Sequence, residues 1–196
     1  MKIFRKEVRV YYQPYYENSD EAHLINHADD VCDLALKINR ECDEKLVILA
    51  AYLHDMFNRD NRAKHNELAY KYVLTADDKF LKELSCEERK QVAYAVLEHR
   101  ASFKGKFYSP LSEIISAADR GFPDLDFIVI RSMKFNNGNA RKVYAHISRK
   151  YGTNGYAKYP EIYQKIFSEE LARFQRLADE LTVEKIEEIW ENRELI

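Results

Sequence analysis

Apolar residues recur at three- and four-residue intervals along almost the whole chain, the spacing that gathers them on one side of an α-helix. Leu24, His27, Val31, Leu34, Ala35 and Ile38 share one face of a helix that Ser19 or Asp20 would cap. A second helix is predicted from about Asp43 to Phe57, stopped by the polar run Asn58, Arg59, Asp60 and Asn61. A third lies near Arg62 to Leu74, with His65, Leu68, Ala69, Tyr72 and Val73 on its inner face. Ser85 with Glu88 makes a capping-box pattern for a helix ending at His99 and Arg100. Ser109 and Pro110 open another, which runs through Asp119 and stops at Gly121 and Pro123. Asn137, Gly138 and Asn139 turn the chain between two further helices. Tyr151 to Tyr159 reads as a loop, and Glu161 to Trp190 as helical with a break near Leu181 and Thr182.

The first eighteen residues depart from this pattern. Phe4, Val8, Val10, Tyr11, Tyr12, Tyr15 and Tyr16 form an aromatic arm interrupted by Pro14, which predicts an extended segment serving as a lid or a homo-oligomer contact. The expected architecture is therefore all-α. Residues 1–18 are the arm and 19–196 a single helical bundle, with its core at 19–122 and C-terminal helices over 123–196.

One helix is apolar on every side: Leu46, Val47, Ile48, Leu49, Ala50, Ala51, Tyr52 and Leu53 follow one another without a polar residue, and then come His54 and Asp55. Such a helix belongs in a core. Two ionisable groups at its buried end would cost several kcal/mol each unless paired or bound to a metal. His27 and Asp119 also stand on otherwise apolar faces, so these four residues are the candidate site.

Charge and cysteine content narrow the setting. Lys plus Arg number 31 against 33 Asp plus Glu, a net charge of -2, so no global field recruits nucleic acid or an anionic membrane. Any anionic ligand must be held by a local cluster. Cys32, Cys42 and Cys86 are odd in number and lack a CxxC spacing, which fits a reduced compartment. The N-terminus MKIFRKEVRV has no apolar signal core, and no run approaches the roughly 20 residues that cross a bilayer. A cytoplasmic protein without a membrane partner is expected.

In order along the chain, His27 with Asp29, Asp30, Val31 and Ala35, the helix end Leu53, His54 and Asp55, and the segment Ala117, Ala118, Asp119 and Arg120 resemble the HD-domain superfamily of metal-dependent phosphohydrolases. The resemblance covers Ser19 to Phe122, about half of the chain. It implies that His27, His54, Asp55 and Asp119 hold a divalent ion whose water attacks phosphorus, with Asp55 central to catalysis. Two imidazoles and two carboxylates without a thiolate suit Mn, Fe, Co, Ni, Zn or Mg. The substrate implied is a small phosphorylated metabolite, a nucleotide foremost.

His65 and His99 are similar to the family's histidines that bind a second metal in some members and lie beside the phosphate in others. The chain lacks the adjacent histidine pair of the clearest binuclear subgroup, which favours one ion, with His65 and His99 as phosphate contacts or general acid. His23, one helical turn before His27, is a rival first ligand and is placed in the pocket wall. Lys64, Arg100 and Arg120 neighbour site residues and are candidates for binding the anionic substrate, with Lys104 and Lys106 in a loop that could close over it. Asp29, Asp30 and Asp33 read as a solvated face, Glu98 as an exposed helix position, and Tyr52, Tyr72 and Tyr94 as packing. Two alternatives stand beside the hydrolase: a di-iron oxygenase on the same scaffold, and a ligand-sensing module whose metal is structural, with the arm or the Glu-rich tail binding a partner.

Overall fold

In the computed structural model, residues 1–17, 19 and 23–195 are described. Among them are eleven α-helices and no strand, so the fold is all-α. The chain divides into two compact units, Met1–Gly121 and Phe122–Ile196. No described helix is long and apolar enough to cross a membrane.

The first unit contains α1 (Lys2–Tyr12), α2 (Ile25–Ile38), α3 (Glu44–Leu53), α4 (His65–Thr75), α5 (Cys86–Glu98) and α6 (Pro110–Ala118). The central α3 begins where the Asp43 side chain accepts the Lys45 N–H at 2.7 Å, and all eight residues from Leu46 to Leu53 are buried, as its unbroken apolar run requires. Around it pack α1, α2, α5 and α6, and α4 lies against α5. The capping box at α5 forms as its spacing predicts: Ser85 Oγ accepts the Glu88 N–H, and Glu88 Oε2 accepts the Ser85 N–H at 2.8 Å. Ser109 caps α6 with Pro110 in its first turn. Beyond the other end, at Ala118, Gly121 takes the left-handed φ of +68°, which L-residues avoid, and turns the chain away from the helix.

The N-terminal segment is helical, not extended. Val8, Tyr12 and Tyr16 recur every four residues and are all buried, and Pro14 sits in a 3-10 turn (Gln13–Tyr15) beyond the end of α1, where it interrupts nothing. Tyr12 Oη donates to Asp78 at 3.0 Å. Asp78 is itself buried and also accepts from Tyr72 Oη and from the Phe80 and Leu81 N–H groups. The hydroxyl of Tyr16 donates to the Tyr52 carbonyl at 2.9 Å. The presumed lid is thus a wall of the core.

The acidic residues of α2 also differ from expectation. Asp29 pairs with Arg9 at 2.9 Å and accepts from Tyr52 Oη at 2.6 Å, while Asp33 pairs with Arg5. These contacts tie α1 to α2 and α3, so the face that reads as solvated is partly an inter-helix seam. The helix itself begins at Ile25 after Leu24, without a side-chain cap. Ser19 therefore does not cap it, and Asp20 lies outside the described residues.

The second unit contains α7 (Leu125–Phe135), α8 (Ala140–Tyr151), α9 (Glu161–Ile166), α10 (Ser168–Asp179) and α11 (Val183–Glu191). Val129, Met133, Val143, Ile147, Phe174, Ile186 and Ile189 form its core. The expected turn at Asn137 and Gly138 is present, with φ of 51° and 74°. Thr182 caps α11 at the expected break. A further break, at Phe167 between α9 and α10, carries no Gly or Pro to announce it.

Candidate metal centre

Helix ends build the site. His27 lies in the first turn of α2, His54 caps the C-terminus of α3 with Asp55 after it, His65 opens α4, and His99 and Asp119 are the C-caps of α5 and α6. The α3 helix stops at Leu53, several residues short of the Phe57 expected from its apolar spacing. Beyond it the chain continues in tighter turns, with Asn58 N–H bonded to the Asp55 carbonyl at 2.9 Å.

Three of the four histidines are oriented in the same way. Nδ1 of His54 faces the Ala51 carbonyl at 2.7 Å, that of His65 the Arg62 carbonyl at 2.9 Å, and that of His99 the Val96 carbonyl at 2.7 Å. A carbonyl oxygen only accepts, so each Nδ1 carries the hydrogen, and Nε2 of the neutral ring presents a lone pair to the site. The bonds at His54 and His99 also satisfy carbonyls that the last helical turn leaves open.

The donor atoms fall into two triads that share one carboxylate. His27, His54 and Asp55 form the first; Asp55, His65 and His99 form the second. Within each, the ligand atoms lie within 4.8 Å of one another. The two oxygens of Asp55 divide the work: Oδ2 is 3.7 Å from His27 Nε2 and 3.5 Å from His54 Nε2, and Oδ1 is 3.1 Å from His65 Nε2 and 3.6 Å from His99 Nε2. Asp119 adjoins the first triad, its Oδ1 lying 3.0 Å from His27 Nε2 and 3.6 Å from His54 Nε2.

These spacings fit a cation. With metal–ligand bonds of roughly 2.0–2.2 Å, neighbouring ligand atoms stand about 3 Å apart around an octahedral ion and about 3.4 Å around a tetrahedral one. The Nε2 atoms of His65 and His99 are 3.1 Å apart. In neutral rings two lone pairs would face each other there, an arrangement that repels unless a proton or metal ion sits between them. The donor set of imidazole and carboxylate suits a borderline or hard divalent ion.

A model of the HD domain matches residues 21–121, more than half of the chain. The chain belongs to the HD-domain family. It is also similar to the crystal structure of a predicted HD superfamily hydrolase from an uncultured Thermotogales bacterium. That likeness has 21% identity and a TM-score of 0.53, covers 89% of this chain and 91% of the other, and shows a shared fold. No curated protein matches the chain.

In this HD domain the electrostatics follow from burial and from the density of charge. His54, His65 and His99 are buried, as is Asp55. Burial pushes the His54 imidazole down, yet Asp55 and Asp119 outweigh it and raise the group to about 9. Burial dominates at His99 and lowers it to about 3. Burial opposes ionisation of Asp55 too, but His54 and the close contacts with His65 and His99 together hold its carboxyl well below the usual range. Asp119 is held low against burial in the same way, by its contacts with His27 and His54.

The remaining sequence-predicted residues divide. His23 precedes α2 and is not part of its face, but its ring packs edge-on against His27 at 5.9 Å. Lys64 is exposed beside His65. Arg100 donates to the Ala63 carbonyl at 2.7 Å, joining the chain segments that carry His99 and His65. The Arg120 guanidinium grips the backbone carbonyls of His99, Ser116 and Arg100, clasping the ends of α5 and α6 together. Glu98 is buried, not exposed, and accepts the Tyr108 N–H at 2.9 Å, anchoring the end of the loop that holds Lys104 and Lys106. Ser116, fully buried, donates to the His99 carbonyl at 3.1 Å. Sequence gave no signal for Ser116, a small residue on a buried face.

Proposed function

We propose that this protein is a metal-dependent phosphohydrolase that holds two divalent cations and acts on a nucleotide or another small phosphorylated metabolite. The observation that carries the reading is the carboxylate of Asp55 facing one histidine pair with each oxygen. A carboxylate so placed could be shared by two cations, and His65 and His99 would then serve as ligands in place of the phosphate contacts or general acid that a one-ion site would make them. When bound, such ions supply Lewis acidity toward a phosphoryl oxygen and a water of lowered pKa.

The protein's own part is orientation and access. Carbonyl-anchored imidazoles keep their Nε2 atoms aimed at the cation positions without reorganising during the reaction. Asp119 has 22% of its side chain exposed, against 9% or less for the other five ligands, so substrate enters on its side. Its carboxylate is the member best placed to accept a hydrogen bond from an incoming water and orient it. Lys64 and Arg100, beside His65 and His99, supply positive charge for an anionic substrate.

The shared carboxylate and the second triad also favour one rival, a di-iron oxygenase, which needs both cation positions. A metal-by-substrate screen separates the two. Protein stripped of metal and reloaded with Mn, Fe, Co, Ni, Zn or Mg is offered nucleoside mono-, di- and triphosphates and simple phosphomonoesters. Release of phosphate or pyrophosphate that depends on the metal is expected. Iron-dependent consumption of dioxygen without phosphate release overturns the reading in favour of the oxygenase. Tight nucleotide binding without turnover under any metal overturns it in favour of a sensing module.

A further inference from the structure

Two of the six ligands are joined through the backbone by a feature that touches neither cation position. The carbonyl of His99, at the open C-terminal end of α5, accepts from Ser116 Oγ at 3.1 Å and from Arg120 Nη1 at 2.9 Å. The same Nη1 donates to the Ser116 carbonyl, and Nη2 reaches the Arg100 carbonyl at 3.4 Å. One guanidinium therefore ties the end of α5, which carries His99, to the end of α6, which carries Asp119. His99 belongs to the second triad, and Asp119 adjoins the first.

We propose that Arg120 and Ser116 are positioning residues that fix the second cation position relative to the first. The inference rests on the two-cation reading above. His99 has two constraints: its ring is turned by the Val96 carbonyl within its own helix, and its backbone is held in place by the clasp. Loss of the clasp leaves the ring orientation intact but frees the helix end that carries it. The first triad draws on α2 and on the α3 end, neither of which the clasp touches, and Asp119, which adjoins it, keeps a hold of its own through its N–H bond to the Ile115 carbonyl at 2.9 Å. The effect should therefore fall on the second ion.

Charge alone predicts the opposite sign. A guanidinium near two divalent cations repels them, so a residue acting only through its field would, when neutralised, let both ions bind more tightly. A positioning residue, when removed, weakens the second ion. Support for ligand orientation of this kind is typically worth about 10- to 100-fold in metal affinity.

The experiment is titration of metal-stripped full-length protein with Mn(II), followed by calorimetry and by the magnetic coupling that appears in electron paramagnetic resonance when two manganese ions share a bridge. Wild-type protein, R120Q, R120K and S116A are compared, with circular dichroism to verify folding. R120Q is expected to lose about 10- to 100-fold in affinity for the second ion, with the first within about threefold. R120K, which keeps the charge but not the fork, should also be weakened. S116A should show a smaller loss of the same kind and carries the test if the arginine variants do not fold. Two ions bound by wild type and bound at unchanged or higher affinity by R120Q, or by S116A where it must stand in, overturns this inference alone. A single ion bound by wild type, with no coupled signal, overturns the two-cation reading and this inference with it.

Discussion

Replacing Asp55 with Asn tests the shared carboxylate most directly, because it keeps the shape of the side chain and removes its charge. Both oxygens lie within 3.1–3.7 Å of imidazole Nε2 atoms, so the charge serves both triads at once. Opposite unit charges about 4 Å apart interact by about 4 kcal/mol at an effective dielectric near 20. A divalent ion beside the carboxylate loses at least that much, so each cation should bind on the order of 1,000-fold more weakly, since about 1.4 kcal/mol is a factor of ten. The metal-free protein suffers less. His54 owes its raised pKa to Asp55 and Asp119, and in the variant it can release its proton, leaving no buried charge without a partner. Calorimetric titration of metal-stripped D55N with Mn(II) or Co(II) measures the affinities, and H27A is the control: it removes a ligand of the first triad only and should retain one ion. A D55N protein that holds two ions within tenfold of wild-type affinity would refute the bridge, whatever its activity.

Two further outcomes follow from the same structure. In metal-free protein His54 titrates at about 9, so at pH 7 it holds a proton that an incoming cation must displace. Metal binding measured in buffers of different ionisation enthalpy should release that proton, and affinity should climb with pH until it levels off above about 9. The sign for stability is the reverse: His54 contributes fully to the metal-free fold below its ordinary value of 6.5 and loses that contribution as pH rises through about 9. Away from the site, Tyr12→Phe removes a buried hydrogen bond to Asp78 and should lower unfolding stability by about 1–3 kcal/mol in urea titrations, with metal stoichiometry unchanged. A Y12F protein as stable as wild type would show that the other three donors to Asp78 suffice.

How far the sequence carried the site depended on whether a residue announces its environment. His54 and Asp55 do so, because eight buried apolar residues lead straight to them and nothing else explains charge at such an end. His65 and His99 do not. Each stands in polar company, Arg62 and Lys64 before the one, Glu98 and Arg100 around the other; helical spacing puts His65 on an inner face, but only the packing of α4 on α5 shows that both rings meet at the free oxygen of Asp55. Glu98 misleads for the same reason: a carboxylate beside a charged helix end reads as solvent-facing until the Tyr108 N–H is seen upon it. In the N-terminal arm Val8, Tyr12 and Tyr16 keep a helical spacing that Pro14 masks in the sequence, although a proline past the last turn breaks nothing. The common cause is that a dipeptide motif records which side chains meet at one helix end, whereas the second triad draws on the ends of α4 and α5, and its ring orientations are set by backbone carbonyls that are the same in every residue. Arg120 is the clearest case: nothing in its residue type or in its neighbour Asp119 announces that one step along the helix, a turn of about 100°, delivers its guanidinium to the carbonyls of α5 and α6.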